Sequence, residues 1–124
     1  RFKKIVNRIC SGYHSIQVEI REEIKKDIFL SPTEGVNLIR IMQEAMTNAV
    51  KHAGCTHITV NIESAERLTV RIADNGAGFL HDAVKDDAYG IRNMHARAAE
   101  AGFEMGIESS SEGTIILIEK IFRS

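Results

Sequence analysis

The sequence is poor in the features that mark several large classes of protein. It has only two cysteines in 124 residues. Cys10 and Cys55 are far apart and belong to no C-x-x-C or Cys/His cluster, which indicates neither a zinc site nor a disulfide framework and fits a reducing cytoplasm best. Neither sign of charge dominates: 16 Lys and Arg face 17 Asp and Glu, for a net charge of −1. That balance gives no basic footprint for nucleic acid and no cationic face for a membrane, so any polyanion must be met by a local site. No apolar run approaches the roughly 18 residues needed to span a bilayer, and residues 1–10 lack the apolar core of a signal peptide. Internal repeats and low-complexity linkers are missing too. The chain opens on Arg rather than Met, and we expect it to be a piece of something longer.

What is present suits one folded domain. Hydrophobic residues make up 44% and charged residues 27%, which excludes wholesale disorder as the default. The length allows a single core, and we expect one layer of sheet and one of helices. Phe2, Ile5, Val6 and Ile9 recur at helical spacing among Lys3, Lys4 and Arg8, so the start reads as an amphipathic helix ending near Gly12. Ile16, Val18 and Ile20 alternate with polar neighbours as a half-buried strand does. Ser31-Pro32-Thr33-Glu34 supplies an N-cap, a first-turn proline and the Glu of a capping box, predicting a helix over about 32–52 with Gly54 as its stop.

On that helix Leu38, Met42, Ala45, Ala49 and Ala53 form an apolar stripe, while Glu44, Asn48 and Lys51 share another face, with His52 at its edge. Alternation in Ile58, Val60, Ile62 and again in Leu68, Val70, Ile72 predicts a β-hairpin. Residues 80–89 are polar and aperiodic and read as a mobile loop of the kind that gates sites. Gly90 is expected to open a second helix over 91–101, which Gly102 ends. Two strands follow, over 105–109 and 114–121, and the run Ile115-Ile116-Leu117-Ile118 suggests a central strand covered on both faces.

Two strings carry chemistry. Asp74-Asn75-Gly76-Ala77-Gly78-Phe79 ends a strand in a carboxylate that can accept a hydrogen bond from adenine's amino group, and Gly76 and Gly78 let the backbone pass close to a flat ring. A plain D-N-G turn explains the same residues equally well. In the helix, the Asn48 amide oxygen can meet a hard cation such as Mg²⁺, and Lys51 and His52 can neutralise phosphate oxygens. Glu44, one turn earlier, is placed to orient or deprotonate an attacking group. A solvated polar face would be the blander explanation, but Asn is a poor mid-helix residue with no propensity reason to be there. The free N–H groups of Gly90 and Ile91 at a helix start would make an anion site, and the Thr114 hydroxyl at a strand start could reach a base edge, although a simple turn also accounts for it.

These residues resemble the catalytic and ATP-binding domain of bacterial two-component sensor histidine kinases. Gln43–Ala53, read as Gln-Glu-Ala-x-x-Asn-Ala-x-Lys-His-Ala, is similar to the family's N box, 74–79 to the first glycine box, and Gly90-Ile91-Arg92-Asn93-Met94 to the second. The Lys-His-Ala ending resembles the subgroup paired with helix-turn-helix response regulators. The resemblance covers about residues 11–122 in the right order. It implies the Bergerat fold, an α/β two-layer sandwich with a mixed, mostly antiparallel sheet of about five strands covered on one face by about three helices, as in type II topoisomerases and Hsp90-like chaperones. It further implies ATP and Mg²⁺ as ligands, with Asn48 on the metal, Lys51 and His52 on phosphates, Asp74 on the adenine amine, Gly76 and Gly78 lining the purine pocket, Gly90, Ile91 and Thr114 as further contacts, and 80–89 as the lid. By the same resemblance Glu44, Asn48 and Lys51 are the catalytic candidates.

Two departures stand out: the family's Met-Arg-Glu-Arg is Met94-His95-Ala96-Arg97 here, and the last strand ends in Glu119-Lys120-Ile121-Phe122 where relatives often carry proline. The phosphoacceptor motif, an Arg-rich stretch ending in His-Asp or His-Glu, surrounds none of His14, His52, His57, His81 or His95. Residues 1–10 are therefore expected to be the end of a dimerisation helix and 11–124 the catalytic and ATP-binding domain. The partners implied are the protein's own dimerisation and phosphoacceptor domain, in a homodimer, and a response regulator, with no nucleic acid and no membrane contact by this domain. The location implied is cytoplasmic, with anchoring of the parent in the bacterial inner membrane left open. Two alternatives stand beside this reading: an anti-sigma factor serine kinase of the same fold, and a degenerate nucleotide-binding regulatory module.

Overall fold

The computed structural model describes residues 4, 7–8, 16–51, 55–76 and 85–122, with residues 50–51 and 85–89 described by their backbone only. In chain order the elements are β1 (Gln17–Ile24), α1 (Pro32–Lys51), β2 (His57–Ser64), β3 (Arg67–Asp74), α2 (Lys85–Ala101), β4 (Glu104–Ser110) and β5 (Gly113–Ile121). The five strands form one sheet in the order β1-β2-β3-β5-β4. β1 and β2 run parallel, while β2–β3, β3–β5 and β4–β5 are antiparallel. Parallel neighbours need a crossover between them, and α1 supplies it. The sheet is thus mixed and mostly antiparallel, as expected. Two helices are described rather than about three, although Lys4, Asn7 and Arg8 are helical as well. The remainder of the first predicted helix, and the boundary near residue 10, lie outside the described residues.

Alternation decides which face is covered. Ile58, Val60 and Ile62 of β2, Leu68, Val70 and Ile72 of β3, and Ile116 and Ile118 of β5 are all buried, facing Leu38, Ile41, Met42, Ala45, Met46 and Ala49 of α1 and Met94 and Ala98 of α2. Each large side chain removed from water stabilises the fold by about 1.5–3 kcal/mol before entropy is counted. β5 does not match the expectation of a strand covered on both faces: it lies inside the sheet, but Ile115 and Leu117 point away from the helices and are only half-buried.

α1 starts as its sequence dictates. The Ser31 hydroxyl accepts from the Glu34 amide at 3.2 Å and the Glu34 carboxylate accepts from the Ser31 amide at 2.8 Å, closing the capping box. Glu34 also anchors a longer-range clamp. Lys120 of β5 donates to Glu34 Oε2 at 2.5 Å and to the carbonyl of Ala101, the last residue of α2, at 2.7 Å. Its ammonium lies 5.5 and 5.6 Å from the ring centres of Phe103 and Phe122, within cation–π range. Burial pushes the Glu34 carboxyl up, but hydrogen bonds from Lys120 and from Ser31, together with the Lys120 charge, outweigh it and hold the group below its ordinary value.

α2 is longer than its sequence pattern suggests. It begins at Lys85, so residues 85–89 are helical rather than loop, and the rest of the expected lid, 80–84, lies outside the described residues. Gly102, at φ +75°, follows the last helical residue, the position at which glycine ends helices without a Cβ penalty.

Candidate functional site

Asp74 is the last residue of β3 and continues the alternation of Val70 and Ile72, so its carboxylate projects on the side of the sheet that carries α1. Its Oδ1 accepts the Gly76 amide at 2.9 Å. Burial pushes the Asp74 carboxyl above its ordinary value, and backbone hydrogen bonds from Gly76 and Thr114 only partly counter this. A half-buried acceptor fixed by two amides is well suited to a neutral N–H donor on a ligand. The neighbouring Cys55 thiol is buried and pushed up by that burial, with the Asp74 charge adding to it, which keeps it an unreactive thiol rather than a nucleophile.

Asn75, next in the chain, locks the strand end in place. Its Oδ1 accepts the amides of Thr56 at 2.9 Å and His57 at 3.0 Å, and its Nδ2 donates to the Thr56 hydroxyl at 2.9 Å. The start of β2 is thereby tied to the turn after β3. The β4–β5 hairpin closes on the same point. Thr114 lies opposite Asp74 in the β3–β5 register and is buried, with its hydroxyl 3.0 Å from the Ser109 hydroxyl. Gly113 has φ +146°, and a Cβ there would collide with the Asp74 carbonyl oxygen and lie 3.1 Å from its carbon. Only glycine permits this approach. Thr114 therefore acts on Asp74 through its amide, and its hydroxyl is shared with Ser109 rather than free to reach a base edge. A cavity of about 440 Å³ at this corner is bordered by Ala73, Glu108 and Ile115 and so opens on the face of the sheet away from α1, not on the side to which the Asp74 carboxylate projects.

The second wall is built by α1 and α2. Asn48 is 4% exposed, and its Nδ2 finds no hydrogen-bond partner among the described residues. Such an orphan normally costs about 1–3 kcal/mol, so its retention at this spot points to a ligand. Gly90 faces it directly. A Cβ on Gly90 would strike Glu44 Oε1 and lie 3.2 and 3.4 Å from the two terminal atoms of Asn48. The glycine is therefore a spacer between two close-packed helices, not a helix start. With α2 beginning at Lys85, residue 90 is interior to the helix and its amide is taken by the regular i→i−4 ladder. The anion site expected from the free amides of Gly90 and Ile91 is corrected accordingly.

Of the remaining candidates, Gly76 is buried beside Asp74, and Lys51 closes α1, with its side chain outside the described residues. His52, Gly54 and Gly78 also lie outside them. Sequence reasoning missed Asn75 as the brace of the turn, Gly113 as the close-approach residue and Lys120 as the clamp. The D-N-G string held a signal for the first; the others depend on strand pairing. It missed, too, a cavity of about 510 Å³ between the outer sides of α1 and α2, bordered by Arg40, Glu44, Asn93 and Arg97.

A family model described as the histidine kinase-, DNA gyrase B-, and HSP90-like ATPase matches residues 33–120. The chain belongs to this ATPase family. The match covers both walls of the site, from the start of α1 through Asp74 to Lys120, and makes this an ATP-binding domain. The sensor protein VraS of Staphylococcus epidermidis is 42% identical over 74 residues, 59% of this chain and 21% of VraS. VraS of Staphylococcus aureus strain COL is 40% identical over the same length, and the chain spans about a fifth of either relative. Among solved structures, the ATP-binding domain of PrrB from Mycobacterium tuberculosis superposes with a TM-score of 0.75 at 20% identity, over 99% of this chain and 95% of that one. The blue-light activated histidine kinase of Erythrobacter litoralis EL346 gives 0.74 at 20% identity, over 98% of this chain and 40% of that one. Both bear out the sandwich architecture expected from the sequence.

Proposed function

We propose that this domain is the phosphoryl donor of a sensor histidine kinase: it binds Mg·ATP and passes the γ-phosphoryl group to a histidine on a separate dimerisation domain, for relay to an aspartate of a response regulator. The observation that carries the reading is the orphaned, buried amide of Asn48 on the same side of the sheet as the amide-braced carboxylate of Asp74. Asp74 accepts the adenine amino group, with Gly76 and Gly78 beside the ring. Asn48, Lys51 and His52 meet the metal and phosphate end.

The residues present fit Mg²⁺. The two terminal atoms of an Asn amide are interchangeable by rotation, so Asn48 offers an unpaired oxygen, and no group of three or more His, Cys, Asp or Glu occurs among the described residues. That donor set suits a cation that keeps most of its waters and binds chiefly to substrate phosphates. Once bound, Mg²⁺ would neutralise phosphate oxygens. The protein's own share is positioning and charge: Lys51 balances phosphate oxygens, and Glu44, free of hydrogen bonds among the described residues, faces the acceptor as the group that orients or deprotonates its nitrogen. The parent protein is proposed to act as a homodimer through its dimerisation domain, with this domain cytoplasmic and free of membrane contact; no described helix is long and apolar enough to cross a membrane.

The test is calorimetry of Mg·ATP with Asn48→Asp and Asp74→Ala. Each should abolish measurable binding with the melting transition retained, and undiminished affinity in both would refute the site. Transfer is tested by supplying the parent's dimerisation domain, shown competent with an active kinase, and following its labelling.

A further inference from the structure

The face of the sheet turned away from α1 and α2 has no covering layer among the described residues, and its two halves obey different rules. Where one face of an antiparallel sheet meets water, the outward residues of each strand are expected to be polar. β2 and β3 conform, presenting Thr59, Asn61, Thr69 and Arg71. β5 does not: Ile115 and Leu117 point outward, half-buried, and Ile121 is 50% exposed. The neighbours of these side chains leave room around them. Gly106 stands beside Leu117 in the β4–β5 register, where a Cβ would meet nothing within 4 Å, and Ala73 stands beside Ile115 in the β3–β5 register. The cavity of about 440 Å³ is lined by Ile115 and Ala73, with Glu108 and Glu112 at its border. Charge on this side is lopsided. Among the outward residues of β3, β4 and β5, Arg67 pairs with Glu119 at 2.9 Å, which leaves Arg71 against Glu104 and Glu108, with Glu112 in the β4–β5 turn. None of these four makes an ion pair among the described residues.

We propose that this face seats a basic amphipathic helix of a partner protein, with its apolar stripe on Ile115 and Leu117 and its cations along the β4 border. β5 lies inside the sheet, so a strand added at the β4 edge would not cover it, whereas a helix laid across the face does. Apolar side chains seated on Leu117 and in the gap at Gly106 leave water, and Lys or Arg stems lie along apolar surface while their heads reach the carboxylates. Spacing sets the partner's pattern. Glu104 and Glu108, four residues apart on a strand, are separated by about 13 Å, close to the rise of about eight or nine helical residues. Cations two turns apart on one flank of the helix match them. The same carboxylates repel nucleic acid and anionic lipid, and a second copy would set like charges against the same border. The proposal stands apart from phosphoryl transfer, because the nucleotide-site residues lie on the other side of the sheet.

The probe is a synthetic peptide of about 14 residues, built of leucine, alanine and glutamine as an amphipathic helix, with two lysines two turns apart beside its leucine stripe. A second peptide carries glutamate at those two positions. Each is titrated into the isotope-labelled chain and followed by amide NMR shifts. We expect the lysine peptide to bind at least about tenfold more tightly than the glutamate peptide, with the shifts gathered on β4 and β5. Leu117→Ser and, separately, Glu104→Gln with Glu108→Gln should each weaken the lysine peptide by about fivefold or more, with Mg·ATP affinity held within about twofold. The glutamine pair replaces exposed side chains, so it reads the charge even where Leu117→Ser disturbs folding. Absence of shifts at millimolar lysine peptide overturns the proposal, as does equal affinity for the two peptides, unchanged binding in the glutamine pair, or shifts confined to α1 and α2. Sedimentation of the chain alone as a dimer that Leu117→Ser splits would make a second copy the occupant. Binding to phosphatidylcholine vesicles that the same variant loses would make it a lipid surface. Either result overturns the basic helix.

Discussion

Replacing Gly90 with Ala separates stability from function at this site. In a helix interior Ala is favoured over Gly by about 0.8–1.0 kcal/mol, and residue 90 is interior to α2. The added methyl meets two groups of different kinds. Glu44 Oε1 is the far end of a flexible side chain and can swing away at little cost. The Asn48 amide is buried and only 3.2 Å from the new Cβ at its nearest atom, so it must give by a few tenths of an ångström, consistent with the lower end of the roughly 1–3 kcal/mol typical of overpacking. The two contributions nearly cancel, and we expect a stability change within about 1 kcal/mol by urea denaturation.

Function should not be spared. In the role proposed for it, a displaced Glu44 would lose its aim at the acceptor, and general-base catalysis contributes about 10²–10⁴-fold when intact, so we expect transfer to fall by at least about tenfold. In a Glu44→Gln background, with transfer compared at saturating Mg·ATP so that the small shift of Asn48 is read separately as affinity, the same Gly90→Ala change should add little, because both then act through one carboxylate. Losses that multiply in the double variant, or a destabilisation above about 3 kcal/mol, would refute the reasoning.

Three further outcomes follow from the geometry. Lys120→Met removes two hydrogen bonds of a charged donor, each contributing about 1.5–3 kcal/mol when shielded; with the Lys120 side chain 24% exposed and Glu34 15%, we expect a net loss of about 2–3 kcal/mol, or near 10 °C in Tm, measured by thermal melts. Because Glu34 is held below its ordinary value, its contribution is present above the unfolded carboxylate range and lost as pH falls through the depressed value, so the variant should lose less on acidification than the parent; an equal loss would count against the clamp. Asp74 is shifted the other way: its native form is penalised as pH rises through the raised value, so Asp74→Asn without nucleotide should match or exceed the parent's Tm at pH 7 and show no advantage at pH 3, where a clear loss at pH 7 would be contrary evidence. Gly113→Ala, forced into φ +146° against the Asp74 carbonyl, should cost about 1–3 kcal/mol and weaken ATP binding, and calorimetry with wild-type affinity would exclude a role for that approach.

Much of this was legible in the sequence because it is local. The capping box at Ser31 and Glu34 and the alternation through β2 and β3 need only near neighbours. The turn of Asp74 and Asn75 was visible as a turn, and its use as a brace for Thr56 and His57 was not. The start of α2 was hidden because residues 85–89 offer charges and no apolar period, while an established helix extends at the cost of one residue per hydrogen bond. Gly90 was read as a helix start because glycine disfavours interiors; its place is set instead by Glu44 and Asn48 on another helix. The clamp of Lys120 on Glu34 spans 86 positions, and no local pattern encodes it. The continuous apolar run in β5 reads the same for a strand covered twice and for one whose second face is half-exposed.

That clamp has a mechanical consequence. Lys120 fastens the beginning of α1 to the end of α2, and the two helices run in opposite directions, since Gly90 meets Glu44 and Asn48 further along. The pair is thus a tweezer riveted to the sheet at one tip, with Lys51 and Lys85 at the other. Any spreading of the two helices would be levered about Lys120 and largest at the far tip, the end to which the proposed function assigns the phosphates, so a distant lysine would set how stiffly the jaws close.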